Sequence, residues 1–358
     1  VTPGRPCGTP PPSAGARGCR PPWAIGMPIP PQLVATARCL WWWQWQRLMD
    51  GLAPADAEGN YQRRPSQFAG RPLEPLLQQC TTTVQRPLLI IGRSCPWAHR
   101  TRLVHQLCGL ADAVNLVLVE PDPQAGRWVF PAPLLGCRSL QELYRLAGAN
   151  PQQRATVPLL LDPGSESRSP VILSNESAEL VQLLNRWPGS AMDLEPEPLL
   201  EAIEQWSQQL QHSLNDGVYR CGFARSQTAY DRAEAALFAA LEALEESLSG
   251  QGPWLCGAQL TLADVRLFPT LIRWEQVYAP LFGCSRQPLW CFPALWQWRA
   301  RFLALPGVLE TCDPLAWRTD YFGALFPLRP SALVPAGPMD GAALQQLVQR
   351  PVPSTMET

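Results

Sequence analysis

The sequence predicts an α/β domain followed by an all-helical one, and three observations carry that expectation. Short continuous apolar runs at Leu88–Ile91, Val114–Val119, Val157–Leu161 and Val171–Leu173 have the length of buried strands, with helical periodicity between them. After Pro188 the strand signals stop and only helical spacing remains. The chain has 358 residues, 46% of them hydrophobic, and a formal net charge of −1, enough to core two domains.

Leu88–Ile91 opens the α/β part, and Gly92-Arg93-Ser94 turns the chain. Pro96 then stands where a helix has its first residue; Leu103, Val104, Leu107 and Leu110 follow at helical spacing, with Gly109 as the stop. Val114–Val119 is the second strand, and an irregular stretch leads to a helix over Ser139–Ala147 ended by Gly148. Val157–Leu161 and Val171–Leu173 flank the turn Asp162-Pro163-Gly164, and Ser174 or Asn175 caps a helix with apolar Leu180, Val181 and Leu184. Strand, helix, strand, helix, strand, strand, helix is the order of a thioredoxin-like fold. Leu199–Leu214, Tyr230–Leu248, Leu262–Tyr278 and Ala294–Leu305 form the helical bundle, with Thr261-Leu262-Ala263-Asp264 as a capping box. Asp313 to Pro338 is expected to pack back as irregular chain.

Composition excludes several chemistries. The 29 basic residues are all arginine, so a Walker-type phosphate loop and Schiff-base lysine chemistry are absent. Three histidines, His99, His105 and His212, are too few for a histidine-rich metal site. A pI near 6.4 without a basic block argues against nucleic acid as a partner. The twelve cysteines include no C-x-x-C pair, and free thiols in a reducing cytoplasm is the expected state. No apolar run reaches the ~20 residues that span a bilayer.

Residues 1–50 are read as a disordered Pro/Gly-rich extension, from runs such as Pro10-Pro11-Pro12 and Pro28-Ile29-Pro30-Pro31. The stretch lacks the apolar core of a secretory signal, and Met27 and Met49 stand as alternative translation starts. Trp41-Trp42-Trp43-Gln44-Trp45 is expected to dock on the protein body rather than anchor a membrane.

Cys95 is the most informative residue. It precedes Pro96 at a helix start directly after a buried strand, so first-turn amides and the helix dipole are expected to favour its thiolate, with His99 and Arg100 adding positive potential. Ala98 fills the place of a dithiol enzyme's second cysteine, so an external thiol, with glutathione the obvious candidate, must clear a mixed disulfide; Cys80 is the internal alternative. A proline in Thr156-Val157-Pro158 suits a cis bond that leaves Val157 free to pair with an extended ligand. Asn175-Glu176-Ser177 offers amides, a hydroxyl and a carboxylate to a zwitterionic head group, or simply caps a helix.

Together these segments resemble the Xi-class glutathione transferases, the glutathionyl-hydroquinone reductases. The resemblance rests on Arg93–Thr101 (RSCPWAHRT), Arg127-Trp128-Val129-Phe130, Thr156-Val157-Pro158, Ser174–Ser177, Asn215–Ala224 and Thr261–Arg273 (TLADVRLFPTLIR). It starts near Gly59–Phe68 (GNYQRRPSQF) and ends near Val334–Pro338, about three quarters of the chain. It implies glutathione transferase architecture: a family-type N-terminal extension over 51–84, a thioredoxin-like glutathione-binding domain over 85–187, an all-helical substrate domain with its tail over 188–338, and a tail over 339–358.

By the same resemblance Cys95 is the catalytic cysteine, Trp128 lies over glutathione, Val157 pairs with its cysteinyl backbone, and Glu176 and Ser177 anchor its γ-glutamyl group. Tyr219 and Tyr321 are the aromatic-site tyrosines, and Arg154 is the candidate arginine for glutathione. Asp320–Leu325 replaces the family's H-Y-Y-x-S-H, Arg329-Pro330 replaces asparagine and proline, and Glu275 replaces aspartate, departures that bear on the quinol. The implied reaction is reductive deglutathionylation of a glutathionyl-hydroquinone through Cys95, with glutathione as co-substrate and no metal. The implied partners are glutathione and an aromatic quinol conjugate, with no nucleic acid or membrane, and a homodimer as the assembly to test. A general glutathione-dependent thiol transferase or dehydroascorbate reductase, and a non-catalytic transferase-like binding module, remain as alternatives.

Overall fold

In the computed structural model the described residues are 29–63, 66, 68–122, 126–325 and 333–350. The chain divides into two compact units, residues 1–46 and 47–358. The first contributes most of helix α1 (Pro31–Leu52), where Trp41, Trp42 and Trp43 are exposed and Trp42 stacks on Trp45. Residues 31–50 are therefore helical and not the disordered extension expected. The proline run ends at Pro31, which takes the first helical position, where a missing N–H costs nothing.

In the second unit a six-stranded sheet has the order β4-β3-β2-β1-β5-β6. Helix α2 (Leu73–Thr81) precedes β1 (Leu88–Gly92), every residue of which is buried. Helix α3 (Pro96–Leu107) leads to β2 (Asn115–Asp122), parallel to β1, with Leu88 opposite Asn115. Then come β3 (Arg127–Leu134), β4 (Cys137–Ser139), α4 (Leu140–Leu146), β5 (Leu159–Asp162), β6 (Val171–Ser174) and α5 (Ser177–Asn185). Strand β5 runs antiparallel to both β1 and β6, completing the thioredoxin-like core.

The stretch expected to be irregular holds an added hairpin, β3 and β4, antiparallel on β2. Pro131 and Pro133 within β3 hide it in sequence. The sheet tolerates them because the β3–β4 register breaks between Val129 and Leu134, so their missing N–H groups interrupt no regular ladder.

The helical part comprises α6 (Leu200–Gln209), α7 (Gly217–Gly222), α8 (Gln227–Gln251), α9 (Leu262–Ile272), α10 (Ala279–Phe282), α11 (Pro293–Leu303), α12 (Pro314–Thr319) and α13 (Gly341–Val348). The stretch from Asp313 to Pro338, expected to be irregular, thus carries α12 and a π-helical turn at Asp320–Leu325, and α13 follows beyond it. Arg329-Pro330 lies outside the described residues. Every residue of α9 is buried, and α9 packs on α3 and α6, so it joins the two halves. The back-bond expected of its capping box is present, with Asp264 accepting from the Thr261 N–H at 3.0 Å. No helix among the described residues is long and apolar enough to cross a membrane.

Candidate functional site

Cys95, Trp128, Val157, Glu176, Ser177, Tyr219 and Tyr321 all line one cavity of about 780 Å³ between the sheet and the helical bundle. Cys95 is the N-cap of α3, held by its N–H donating to the Gly92 carbonyl at 3.1 Å and by its own carbonyl accepting from His99. Pro96 at the first helical position costs no hydrogen bond and presets the turn. The Cys95 thiol donates to the Val157 carbonyl at 3.6 Å.

Burial pushes the Cys95 thiol up, while the Ala98 and Trp97 amides and the charges of Arg273 and Arg63 pull it back. Burial wins that balance, so the strongly favoured thiolate expected from the helix terminus is corrected. The cations in that balance are also not those expected. His99 is buried and neutral: burial first, then Arg273, holds it well below the usual histidine range. Its Nδ1 accepts from Arg273 at 2.8 Å, so Nε2 carries the proton and donates to the Thr311 hydroxyl at 2.7 Å. Arg273, itself buried, also donates to the Pro269 carbonyl and lies 4.2 Å over the Trp317 ring. Cys80, the internal alternative for resolving Cys95, is a buried free thiol of α2, pushed up to about 12 by burial.

Trp128 reaches the site from β3, where it pairs with Pro121 of β2. Its indole lies across Gly92, and a β-carbon there would stand 2.6 Å from the ring. The Val157-Pro158 bond is cis, as expected, and Val157 precedes the first β5 ladder pair, Ile90 with Leu159.

Glu176, rather than Ser174 or Asn175, caps α5, accepting from the Ala178 N–H at 3.3 Å. Asn175 turns inward, donating to the Tyr144 hydroxyl at 3.0 Å and to the Thr156 hydroxyl at 3.2 Å. It therefore braces the loop before β5 and is not placed to meet a ligand with those atoms. The Ser177 hydroxyl is buried and has no hydrogen-bond partner among the described residues, although the residue lines the cavity. Beside them stands Arg63, which sequence reasoning did not single out although GNYQRRPSQF contains it. Its guanidinium lies 4.1 Å over Trp97, donates to Asp216 at 3.3 Å and pairs with Glu176 at 3.9 Å. Arg154 also lines the cavity and donates to the Leu52 carbonyl at 3.0 Å.

On the helical side the hydroxyls of Tyr219 and Tyr321 share a hydrogen bond of 2.6 Å. Tyr219 stacks on Trp97 at 6.0 Å, which sets the pair beside the first turn of α3. Burial first, then neighbouring Tyr278, drives both phenols well above their usual range, so both keep their protons at neutral pH. Tyr278 and Tyr321 lie in π-helical turns, Trp274–Tyr278 and Asp320–Leu325, a local geometry that periodicity does not reveal. Phe322, where the resemblance expects a second tyrosine, is buried.

Comparison with known proteins agrees with this architecture. Residues 94–187 match the family model "Glutathione S-transferase, N-terminal domain" and residues 227–301 match "Glutathione S-transferase, C-terminal domain". The glutathionyl-hydroquinone reductase YqjG of Escherichia coli is 33% identical over 262 residues, 70% of this chain and 78% of that protein. The crystal structure of the glutathione S-transferase Xi from Phanerochaete chrysosporium superposes with a TM-score of 0.71 at 30% identity, covering 80% of this chain and 95% of that one. The glutathione-bound structure of Escherichia coli YqjG gives a TM-score of 0.65 at 30% identity, covering 79% and 91%.

Proposed function

The chain belongs to the Xi-class glutathione transferases, the glutathionyl-hydroquinone reductase family, and from that premise we propose that it reduces glutathionyl-hydroquinones through a mixed disulfide on Cys95. The observation that carries the reading is the convergence of Cys95, Trp128, Glu176, Ser177, Tyr219 and Tyr321 on one cavity.

In the first step the Cys95 thiolate attacks the sulfur of the conjugate. A sulfur–sulfur bond forms and the aryl carbon–sulfur bond breaks, its electron pair staying on the ring carbon, which takes a proton as hydroquinone leaves. One phenol proton of the Tyr219–Tyr321 pair is committed to the bond between them, and the other is available to an oxygen of that ring. In the second step a glutathione thiolate attacks the mixed disulfide, giving oxidised glutathione and free Cys95. Ala98 is the third residue past Cys95, so no local thiol competes with glutathione for this step. Trp128 covers the glutathione, the Val157 backbone pairs with its cysteinyl unit, and Glu176 and Ser177 hold its γ-glutamyl end. The unpartnered Ser177 hydroxyl and the Glu176 carboxylate support that assignment. Cytoplasmic residence belongs to the same reading, supported by the free thiols at every described cysteine.

The test is turnover. The purified protein should release hydroquinone from a glutathionyl-hydroquinone with consumption of glutathione, and faster than it reduces a small aliphatic glutathione disulfide. The reverse order would make the thiol transferase reading the better one.

A further inference from the structure

Glutathione's γ-glutamyl head group carries an ammonium and a carboxylate on one carbon, so its site needs an anion and a cation close together. Glu176 supplies the anion. Ser177 supplies a hydroxyl and the start of α5 its amides, neither of which carries a full positive charge. Three arginines line the cavity among the described residues. Arg127 stands next to Trp128 and one residue from Pro121 in the strand register, at the sheet side. Arg154 spends a guanidinium nitrogen on the Leu52 carbonyl. Arg63 alone of the three pairs with Glu176, at 3.9 Å, a separation long enough to leave both groups further bonding capacity.

The Arg63 guanidinium is also preorganised. Asp216 of the helical half holds it at 3.3 Å, and Asp216 is fixed in turn by the Gln211 amide at 2.8 Å. The Trp97 ring supports it from below at 4.1 Å. The chain on its N-terminal side is pinned as well: Tyr61 bridges to Ala55 and sets its ring edge-on to Phe223 at 5.4 Å. A planar cation held this way beside a carboxylate suits bidentate capture of a second, incoming carboxylate.

We propose that Arg63 is a specificity-determining residue that receives the α-carboxylate of the γ-glutamyl group, next to Glu176 at the α-ammonium. The inference rests on the assignment of the γ-glutamyl end to Glu176 and Ser177. It makes the segment before the thioredoxin-like domain part of the glutathione site, in contact with its substrate.

The experiment measures glutathione affinity in a Cys95→Ser background, which separates binding from chemistry. Arg63→Gln should weaken glutathione by about 10- to 100-fold, the range of one charged hydrogen-bonding contact, and Arg63→Lys should recover part of the loss. A tripeptide analogue lacking the α-carboxylate (4-aminobutyryl-cysteinyl-glycine) should bind wild type and Arg63→Gln alike. Thermal unfolding of each variant shows whether the fold is kept. Undiminished glutathione binding by Arg63→Gln, or an equal loss for the decarboxylated analogue, overturns the proposal. Glu176→Gln tests the underlying assignment separately. If it leaves glutathione affinity unchanged, the γ-glutamyl end lies elsewhere and the proposal fails with it. If it weakens binding while Arg63→Gln does not, the assignment stands and only the Arg63 role falls.

Discussion

Trp128 lies across Gly92 so closely that a β-carbon on the glycine would meet the indole at 2.6 Å. Gly92 ends β1 opposite Val119 and is absent from the positive-φ positions, so the site needs its small volume and not its backbone freedom. One missing side chain at the end of the central strand thus sets where the Trp128 ring rests. Gly92→Ala should push the indole out at a cost of about 1–3 kcal/mol. Glutathione affinity should fall roughly tenfold while the alkylation rate of Cys95 changes little. Titration of glutathione with tryptophan fluorescence as the readout checks this, and wild-type affinity in the variant would show that Gly92 does not place the ring.

Cys95 offers a pH prediction. Burial outweighs the Ala98 and Trp97 amides and the Arg273 and Arg63 charges, so the thiol titrates above its ordinary value. Its thiolate fraction is therefore small at pH 7 and still rising above pH 9. The rate of Cys95 alkylation by iodoacetamide should climb through that range without a plateau. A plateau below pH 7 would show that the helix amides win instead. Cys95→Ser should abolish turnover at every pH.

Asp264 carries a stability prediction. Its carboxylate accepts from Leu255 N–H, Thr261 N–H, the Thr261 hydroxyl and the Trp298 indole at 2.9–3.2 Å. Burial nevertheless raises it to about 6. The folded form therefore binds its proton more tightly than an unfolded chain with an ordinary value near 3.8. This group's contribution is full below that value and falls as pH rises towards about 6. Asp264→Asn removes that slope and sets an amide NH₂ against donors, costing about 2–3 kcal/mol at pH 7. Urea melts of both proteins from pH 4 to 7 check the cost and the lost slope together.

What the sequence revealed and what it concealed divide along physical lines. The strand–helix order, Cys95 at a helix start and the cis Val157-Pro158 bond were legible because strand length, Pro96 and Pro158 are local signals. The β3–β4 hairpin was not, because Pro131 and Pro133 read as breakers wherever a register shift is invisible. Arg63, Arg273 and Tyr278 were missed for a different reason. Each matters through a partner 34 or more positions away in the chain: Trp97 for Arg63, His99 for Arg273, Tyr219 for Tyr278. His99 shows the same limit in reverse, since its place one turn after Cys95 suggested a cation and its burial against Arg273 makes it neutral.

Tyr219 and Tyr321 separate the hydroquinone reading from its nearest rival. Their hydroxyls share one hydrogen bond of 2.6 Å, and both phenols stay protonated because burial keeps them well above their usual range. Neither belongs to the thioredoxin-like half, and neither is among the residues assigned to glutathione. Tyr219→Phe leaves Tyr321 as the single remaining donor of the pair, and Tyr321→Phe does the converse. If the pair hydrogen-bonds a ring oxygen while the aryl carbon–sulfur bond breaks, each single change should slow glutathionyl-hydroquinone turnover modestly. The double change should cost nearer the ~10²-fold low end of general-acid catalysis. Reduction of a small aliphatic glutathione disulfide should be spared throughout, since its leaving thiolate needs no phenol. The comparison of kcat for the two substrates across the three variants checks the assignment. Equal losses for both substrates would mean that the tyrosines serve packing against Tyr278 and Phe282, and undiminished aryl turnover in the double variant would remove them from the chemistry.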